Sequence, residues 1–298
     1  MREFTTKTFG KWILAGEHSV LRGCPALAFP LTSKSLELTY QPSSSGLEVE
    51  FGGSHGEELK LLFFGVLETA MSRLKISEPL TGKFRILSEL PVGAGLGASA
   101  ALCGAVARWC QGQNWIQEND TYEFARKLED LFHGESSGVD LAVSLSAQGV
   151  RFQRGGERTA LNPAWWPHFC LSYSGSRGMT SDCVAKVKRL FETDPDMARA
   201  LDRQMQDAVL MAHESLIADL PSSLLQLKAA IQLGRDCFEQ WGLCFGDLSQ
   251  HMRQLEEAGA IAVKPTGSGG GGYVLSLWAS EPPEALSNQL IRVPRPYL

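Results

Sequence analysis

The sequence has no pair of cysteines at C-x-x-C spacing, no H-E-x-x-H histidine pair, no Gly-Lys-Ser/Thr behind a glycine loop and no visible internal repeat. The first two absences remove the common zinc frameworks, and the third removes a Walker phosphate loop. Its seven cysteines, at 24, 103, 110, 170, 183, 237 and 244, are odd in number and scattered, which predicts reduced thiols rather than a disulfide framework. A basic excess is also missing. The 28 Lys and Arg against 33 Asp and Glu leave a net charge of −5, which excludes a general nucleic-acid binder but allows an anion in a local pocket. The opening residues, MREFTTKTFGKWILAG, lack an apolar leader core, so secretion is not expected. One uncharged stretch, Leu90 to Ala107, contains four glycines, six alanines and only five large aliphatics in 18 residues. That composition suits a glycine loop entering a buried helix better than a membrane span. A cytoplasmic protein with no nucleic-acid or membrane partner is the expectation.

What is present is ordinary globular material: 298 residues, 44% hydrophobic and 20% charged. Such a length suggests about two domains, or one large one, with core enough to need no staple. Residues 34–40 and 47–51 alternate polar and apolar, as half-buried strands do. Residues 3–15, 25–31 and 83–90 also read as strands, and Arg151-Phe-Gln-Arg-Gly-Gly as a hairpin. Helical periodicity runs over 57–74, 98–111 and 121–132, with another helix beginning near Ser137. Pro163 to Pro167 marks a boundary between domains 1–163 and 164–298. Beyond it come strand 168–174, helices at about 181–193, 197–217, 222–240 and 245–258, and strands 260–265 and 273–279. The fold class is α+β rather than doubly wound.

Pro91-Val-Gly-Ala-Gly-Leu-Gly-Ala-Ser-Ala-Ala101 is the most informative segment. Glycines 93, 95 and 97 let backbone N–H groups converge on an anion without Cβ interference. A helix starting next aims its free N–H groups and positive dipole end at the same point. Ser99 adds a hydroxyl able to reach a metal on that anion. The segment also fits G-x-G-x-x-[G/A] loosely, but the preceding strand Phe84–Leu90 is amphipathic and Pro91 intervenes, which argues against a dinucleotide site. Close helix packing is the plain explanation for glycines, and three alternating ones before a Ser-Ala-Ala helix start favour phosphate binding over it.

Three further segments carry candidates. Gly10 to Ala28 forms a strand, a turn and a return strand, with Lys11, Glu17 and His18 around the turns; spacing alone gives them no role. Glu129 and Asp140 stand 11 residues apart, one closing a helix and the other opening the next. Ser137-x-x-Asp140 also reads as a helix cap, and an acid there is favourable by roughly 0.3–1 kcal/mol without any chemistry. The functional reading is a metal ligand and a base; magnesium takes one or two carboxylates plus phosphate oxygens. Finally, Lys264-Pro-Thr-Gly-Ser-Gly-Gly-Gly-Gly-Tyr273 joins two apolar strands with more glycine than a hairpin needs. Close backbone approach to a ligand would justify it.

Taken together these segments resemble the GHMP kinase superfamily, and within it the mevalonate kinases. Gly10-Lys11 through Gly16-Glu17-His18 to Pro25-Ala26 resembles the first motif, Pro91 to Ala101 the second and Lys264 to Gly272 the third. Glu129 to Asp140, with His133-Gly134 and Ser137-Gly138-Val139-Asp140, resembles the metal-and-base segment. Phosphomevalonate kinases usually have Tyr where His18 stands, and galactokinases continue that turn with an Asp-Tyr pair missing here.

The resemblance implies a two-domain fold, with a left-handed βαβ crossover in the N-terminal domain and a ferredoxin-like C-terminal domain, the site lying between. It implies ATP and Mg2+ as cofactors and mevalonate or a related alcohol as the small-molecule substrate. Position by position, Lys11 would stabilise the deprotonating alcohol and Asp140 would be the base or orienting carboxylate. Ser99 and Glu129 would hold magnesium. Pro91, Gly93, Ala94, Gly95, Leu96, Gly97, Ala98 and Ser99 would wrap the ATP phosphates, and Glu17, His18, Thr180 and Gly267 would help place the acceptor.

Ala98 replaces the first of two serines frequent in the second motif, Leu141 stands where Asn is common, and Pro265 follows Lys264. These departures bear on which alcohol is accepted. Phosphoryl transfer needs positioning and charge neutralisation, and a carboxylate is a weak base for an alcohol, so proton transfer should come late. The alternatives are a phosphomevalonate kinase or other metabolite kinase of the same family, and, in a different class, a non-catalytic ligand sensor. The retained Lys11, Glu129 and Asp140 argue against the sensor. Oligomeric state stays open, a homodimer included.

Overall fold

The computed structural model describes residues 1–133, 136–156 and 158–296, so Gly134 of the His133-Gly134 pair lies outside it. The fold is mixed α and β, as the α+β patterning predicts. It divides into two compact units interleaved along the chain: residues 1–11, 30–92 and 96–147 form unit 1, and residues 12–29, 93–95 and 148–298 form unit 2. The chain passes from one to the other inside its first two strands, β1 (Phe4–Ala15) and β2 (Pro25–Gly52).

In unit 1, the two alternating stretches are two arms of the single long β2. Strand β3 (Thr81–Ser88) takes partners from both, Leu36↔Ser88 through Gln41↔Lys83 and then Gly46↔Thr81 through Gly52↔Leu87. Phe84 is therefore matched with Tyr40 of one arm and Val49 of the other. The alternation has its usual cause: Leu36, Leu38 and Tyr40 are buried, while Glu37 and Thr39 between them are only half-buried. Helix α1 (Lys60–Leu74) buries Phe63, Val66, Leu67, Ala70 and Met71 at i, i+3, i+4 spacing. Helix α2 (Ala98–Gly112) accounts for the uncharged stretch. Ala100 through Ala107, Trp109 and Cys110 are buried, and a helix covered nearly all round is apolar nearly all round. Helices α3 (Thr121–His133) and α4 (Val139–Ser146) complete the unit. Its aromatic centre is Phe84, whose ring lies 4.8 Å from both Tyr40 and Trp109 by centroid.

In unit 2, Pro25–Ala28 of β2 pair antiparallel with β4 (Val150–Gln153), and β4 pairs with β5 (Arg158–Ala160), the hairpin expected at Arg151. A second, antiparallel sheet contains β6 (His168–Tyr173), β7 (Ala262–Pro265), β8 (Tyr273–Trp278) and β9 (Ile291–Arg292) in the order β7-β8-β6-β9. Helices α5 (Thr180–Thr193), α6 (Pro195–Ile217), α7 (Ser223–Gln240) and α8 (Gly246–Glu257) match the predicted ones closely. The start of α6 shows why: Pro195 occupies its first turn, and the Asp194 side chain accepts the Met197 N–H at 3.1 Å. The Trp12 indole packs on Phe29 and Phe169, at 5.0 and 5.1 Å between centroids. Among the described residues no helix is long and apolar enough to cross a membrane.

Candidate active site

Lys11 lies in the part of β1 that belongs to unit 1, with its side chain only 4% exposed, and its Nζ is 3.0 Å from Asp140 Oδ2. Asp140 occupies the first turn of α4, as expected, but not as part of a serine cap. The N-cap residue is Gly138 at φ +83°, with no side-chain cap, and the Ser137 hydroxyl accepts the Val139 N–H at 3.3 Å. The Asp140 carboxylate is directed to the buried ammonium instead.

The glycine loop is tied to the same strand. The Lys11 N–H donates to the Leu96 carbonyl at 3.0 Å. Gly97 follows at φ +78° as the N-cap of α2, and a Cβ there would sit 2.8 Å from Lys11 Cγ. A side chain at 97 would collide with the lysine stem, so the glycine allows Lys11 to lie beside the amino end of α2. That end has no side-chain cap, and its first intrahelical bond is Ala101 N–H to Gly97 carbonyl at 2.9 Å. Helix geometry leaves this terminus with N–H groups pointing outward and positive dipole character. Of the expected phosphate-binding residues, Pro91, Ala94, Leu96 and Ala98 are buried as anchors, Gly93 is exposed, and Gly95, Gly97 and Ser99 are half-buried.

Glu129, near the end of α3, is 2% exposed, and the Ser136 hydroxyl donates to its Oε2. Burial first, and then the Asp140 charge, push the Glu129 carboxyl up to about 8; the Ser136 hydrogen bond and Lys11 oppose this only in part. A divalent cation bound here would invert that balance and favour the ionised carboxylate. Among the described residues no group of three or more His, Cys, Asp or Glu is placed to hold a metal unaided. A cation here would draw on hydroxyl and phosphate oxygens as well, which suits magnesium.

The acceptor-side candidates all lie in unit 2. His18 has the unusual φ of +58°, and its Nε2 is 2.9 Å from the Ser268 carbonyl. A carbonyl only accepts, so Nε2 carries the proton and Nδ1 the lone pair. That Nδ1 is buried with no hydrogen-bond partner among the described residues. Burial holds the imidazole down to about 4 despite the Ser268 bond, and Phe238 and Trp241 meet its ring edge-on at 5.8 and 5.1 Å. Thr180, the first residue of α5, has its Oγ1 3.3 Å from Ser268 Oγ. His18 and Thr180 thus converge on Ser268, beside Gly267.

Glu17 is placed differently. Its carboxylate pairs with the Lys264 ammonium, which is fully buried, donates to the Pro265 carbonyl at 2.7 Å and lies 5.3 Å from the Phe238 ring centroid. Thr266 adds a second tie: its Oγ1 accepts the Ile13 N–H at 2.8 Å and donates to the Ile13 carbonyl at 3.1 Å. The third glycine run is not a loose linker. A Cβ on Gly272 would stand 2.7 Å from the Ala94 carbonyl oxygen, and one on Gly267 3.5 Å from Gly95 Cα, so the two glycine segments meet backbone to backbone.

The sequence alone assigns no role to Lys264, Thr266, Ser268 or Ser136. A lone lysine in the apolar strand Ala260-Ile-Ala-Val-Lys264 was a usable signal, because lysine is almost never fully buried unless paired. The other three are ordinary loop residues by type, and no pattern marks them.

The family description "GHMP kinases N terminal domain" matches residues 62–148. A mevalonate kinase of Pyrococcus abyssi is 29% identical over 298 aligned residues, covering 90% of this chain and 86% of its own. Among solved structures, L. major mevalonate kinase in complex with R-mevalonate superposes with a TM-score of 0.77 at 21% identity, covering 97% of this chain and 94% of its own. A Streptococcus pneumoniae phosphomevalonate kinase, solved with phosphomevalonate and AMPPNP, gives 0.73 at 16% identity over 93% of each chain. At these identities the structures establish the fold.

Proposed function

The chain belongs to the GHMP kinase superfamily, and on that premise we propose that it transfers the γ-phosphoryl group of ATP to the primary alcohol of mevalonate, giving 5-phosphomevalonate. The observation that carries this reading is the 3.0 Å pair of Lys11 and Asp140, with Gly97 at the start of α2 packed against the lysine stem.

The residues divide the work as follows. Gly93 to Ser99 offer backbone N–H groups and a helix terminus to the triphosphate. Asp140 orients the acceptor hydroxyl and receives its proton. As the acceptor oxygen bonds to the γ-phosphorus, the bond from that phosphorus to the bridging oxygen of ATP breaks and ADP departs. Lys11 balances negative charge on the acceptor oxygen and the moving phosphoryl group, in a place where burial makes its charge count for more than in water. Ser99 and Glu129 would hold magnesium, which when bound neutralises phosphate charge. Within unit 2, His18 and Thr180, which meet at Ser268, would help place the acceptor.

A phosphomevalonate kinase is the second reading, favoured by a structural neighbour of that activity. His18 argues against it, because a ring held neutral to about pH 4 adds no positive charge for an already phosphorylated acceptor. Purified protein supplied with Mg-ATP should release ADP with mevalonate. Turnover with phosphomevalonate and none with mevalonate would reverse the assignment.

A further inference from the structure

Ser136 is a polar residue buried in unit 1, at 4% exposure, and three hydrogen bonds to described residues hold it. Its N–H donates to Asp130 Oδ1 at 3.0 Å, which ties it to α3. Its hydroxyl donates to Glu129 Oε2 and accepts the Gly138 N–H at 3.0 Å. A hydroxyl has one proton to give and lone pairs to receive, so one oxygen serves both neighbours. Gly138 is the N-cap of α4, the helix that carries Asp140 in its first turn. Its carbonyl is held in turn by Tyr122 Oη and by the Ala142 N–H, each at 3.0 Å. A Cβ on Gly138 would lie 2.1 Å from that same Tyr122 oxygen, so the cap has little freedom to move.

The two acids of the candidate site are therefore connected through a single atom. The Glu129 carboxylate is fixed by the hydroxyl whose oxygen also fixes the turn presenting Asp140. We propose that Ser136 is a positioning residue: its hydroxyl sets the Glu129 carboxylate relative to the start of α4, so that metal ligand and acceptor carboxylate keep one fixed separation. This rests on the reading of Glu129 as a magnesium ligand and Asp140 as the acceptor carboxylate. A plain space-filling role would need the volume of the side chain but not its oxygen. A positioning role needs the oxygen, and partners of that kind cost 10–100-fold in metal affinity or activity when lost.

The test compares Ser136→Ala, Ser136→Thr and Glu129→Gln in the full chain. Binding of ADP is measured by calorimetry across a magnesium titration, with turnover and thermal unfolding alongside. Ser136→Ala should fold and raise the magnesium concentration needed for half-maximal ADP binding by roughly 10-fold or more. Ser136→Thr, which keeps the hydroxyl, should recover most of the loss. An unchanged magnesium titration in Ser136→Ala, beside a shifted one in Glu129→Gln, would overturn the role of Ser136 alone. An unchanged titration in Glu129→Gln would overturn the metal-ligand reading and this inference with it. Equal loss in the alanine and threonine variants, tracking a lowered unfolding temperature, would reduce Ser136 to packing. Should Ser136→Ala not fold, Ser136→Cys retains the size and carries the same comparison.

Discussion

Replacing Lys264 by Met should destabilise the fold more than any surface change, and the reason lies in where its charge sits. The ammonium is fully buried and paired with the nearly fully buried Glu17 carboxylate, with the Pro265 carbonyl and the Phe238 ring as further neighbours. Methionine fills the stem's volume but removes the ammonium from the nearly fully buried Glu17 carboxylate. Removing one partner of a buried ion pair costs about 3–5 kcal/mol. Against a total stability of roughly 5–15 kcal/mol that is a large share, and at about 2–4 °C per kcal/mol it lowers Tm by roughly 6–20 °C. The double variant Glu17→Gln/Lys264→Met removes both charges and should recover at least about 2 kcal/mol of the loss, because neutral replacements of a buried pair are often tolerated. Urea unfolding at pH 7, followed by far-UV circular dichroism, measures all three proteins. A single variant within about 1 kcal/mol of wild type, or a double variant less stable than the single, would refute the reasoning.

Gly97→Ala should lower turnover by at least about 10-fold without unfolding the protein, since its Cβ would meet Lys11 Cγ at 2.8 Å in a backbone at φ +78°; normal steady-state rates would count against the packing of Lys11 beside α2. Asp140→Asn or Lys11→Met should each cost at least about 100-fold in kcat with the circular dichroism spectrum unchanged; near-normal rates would remove that residue from the mechanism. His18 makes stability depend on pH. Its folded value near 4 lies below the ordinary 6.5, so between these values the unfolded chain binds more protons. The contribution is complete above about pH 6.5 and is lost as pH falls toward 4. Between pH 7 and pH 5 wild type should lose about 2 kcal/mol more than His18→Gln, because the carboxyl groups, the raised Glu129 among them, act on both proteins alike; urea unfolding at the two pH values measures the difference. An equal slope in wild type and variant would contradict burial of a neutral ring.

Much of this was legible in the residues. Glycine at 93, 95 and 97 announces backbone that other residues resist, and all three do adopt positive φ. Helix starts and stops were readable where a local cap exists, as at Asp194-Pro195. The uncharged 90–107 stretch was readable as a buried helix because its alanines and glycines are too small for a span. Reading was weakest where partners are distant or chemically ordinary. The Glu17–Lys264 pair spans 247 residues, and no local pattern announces it. The helix cap near Asp140 was misplaced because Gly138, in a left-handed turn, took the position that Ser137 suggests by type. The two arms of β2 read as separate strands because the exposed residues between them, at 41–48, carry no core signal. Interleaving of the two compact units could not be read at all, since it depends on contacts and not on composition.

The most direct measurement follows the phosphoryl group itself. With ATP labelled at the γ-phosphate and unlabelled mevalonate, the label should appear in a phosphate ester on the primary alcohol, in step with ADP. Label found only as inorganic phosphate, or transferred only to an acceptor already phosphorylated, would contradict transfer by the Lys11–Asp140 pair to mevalonate.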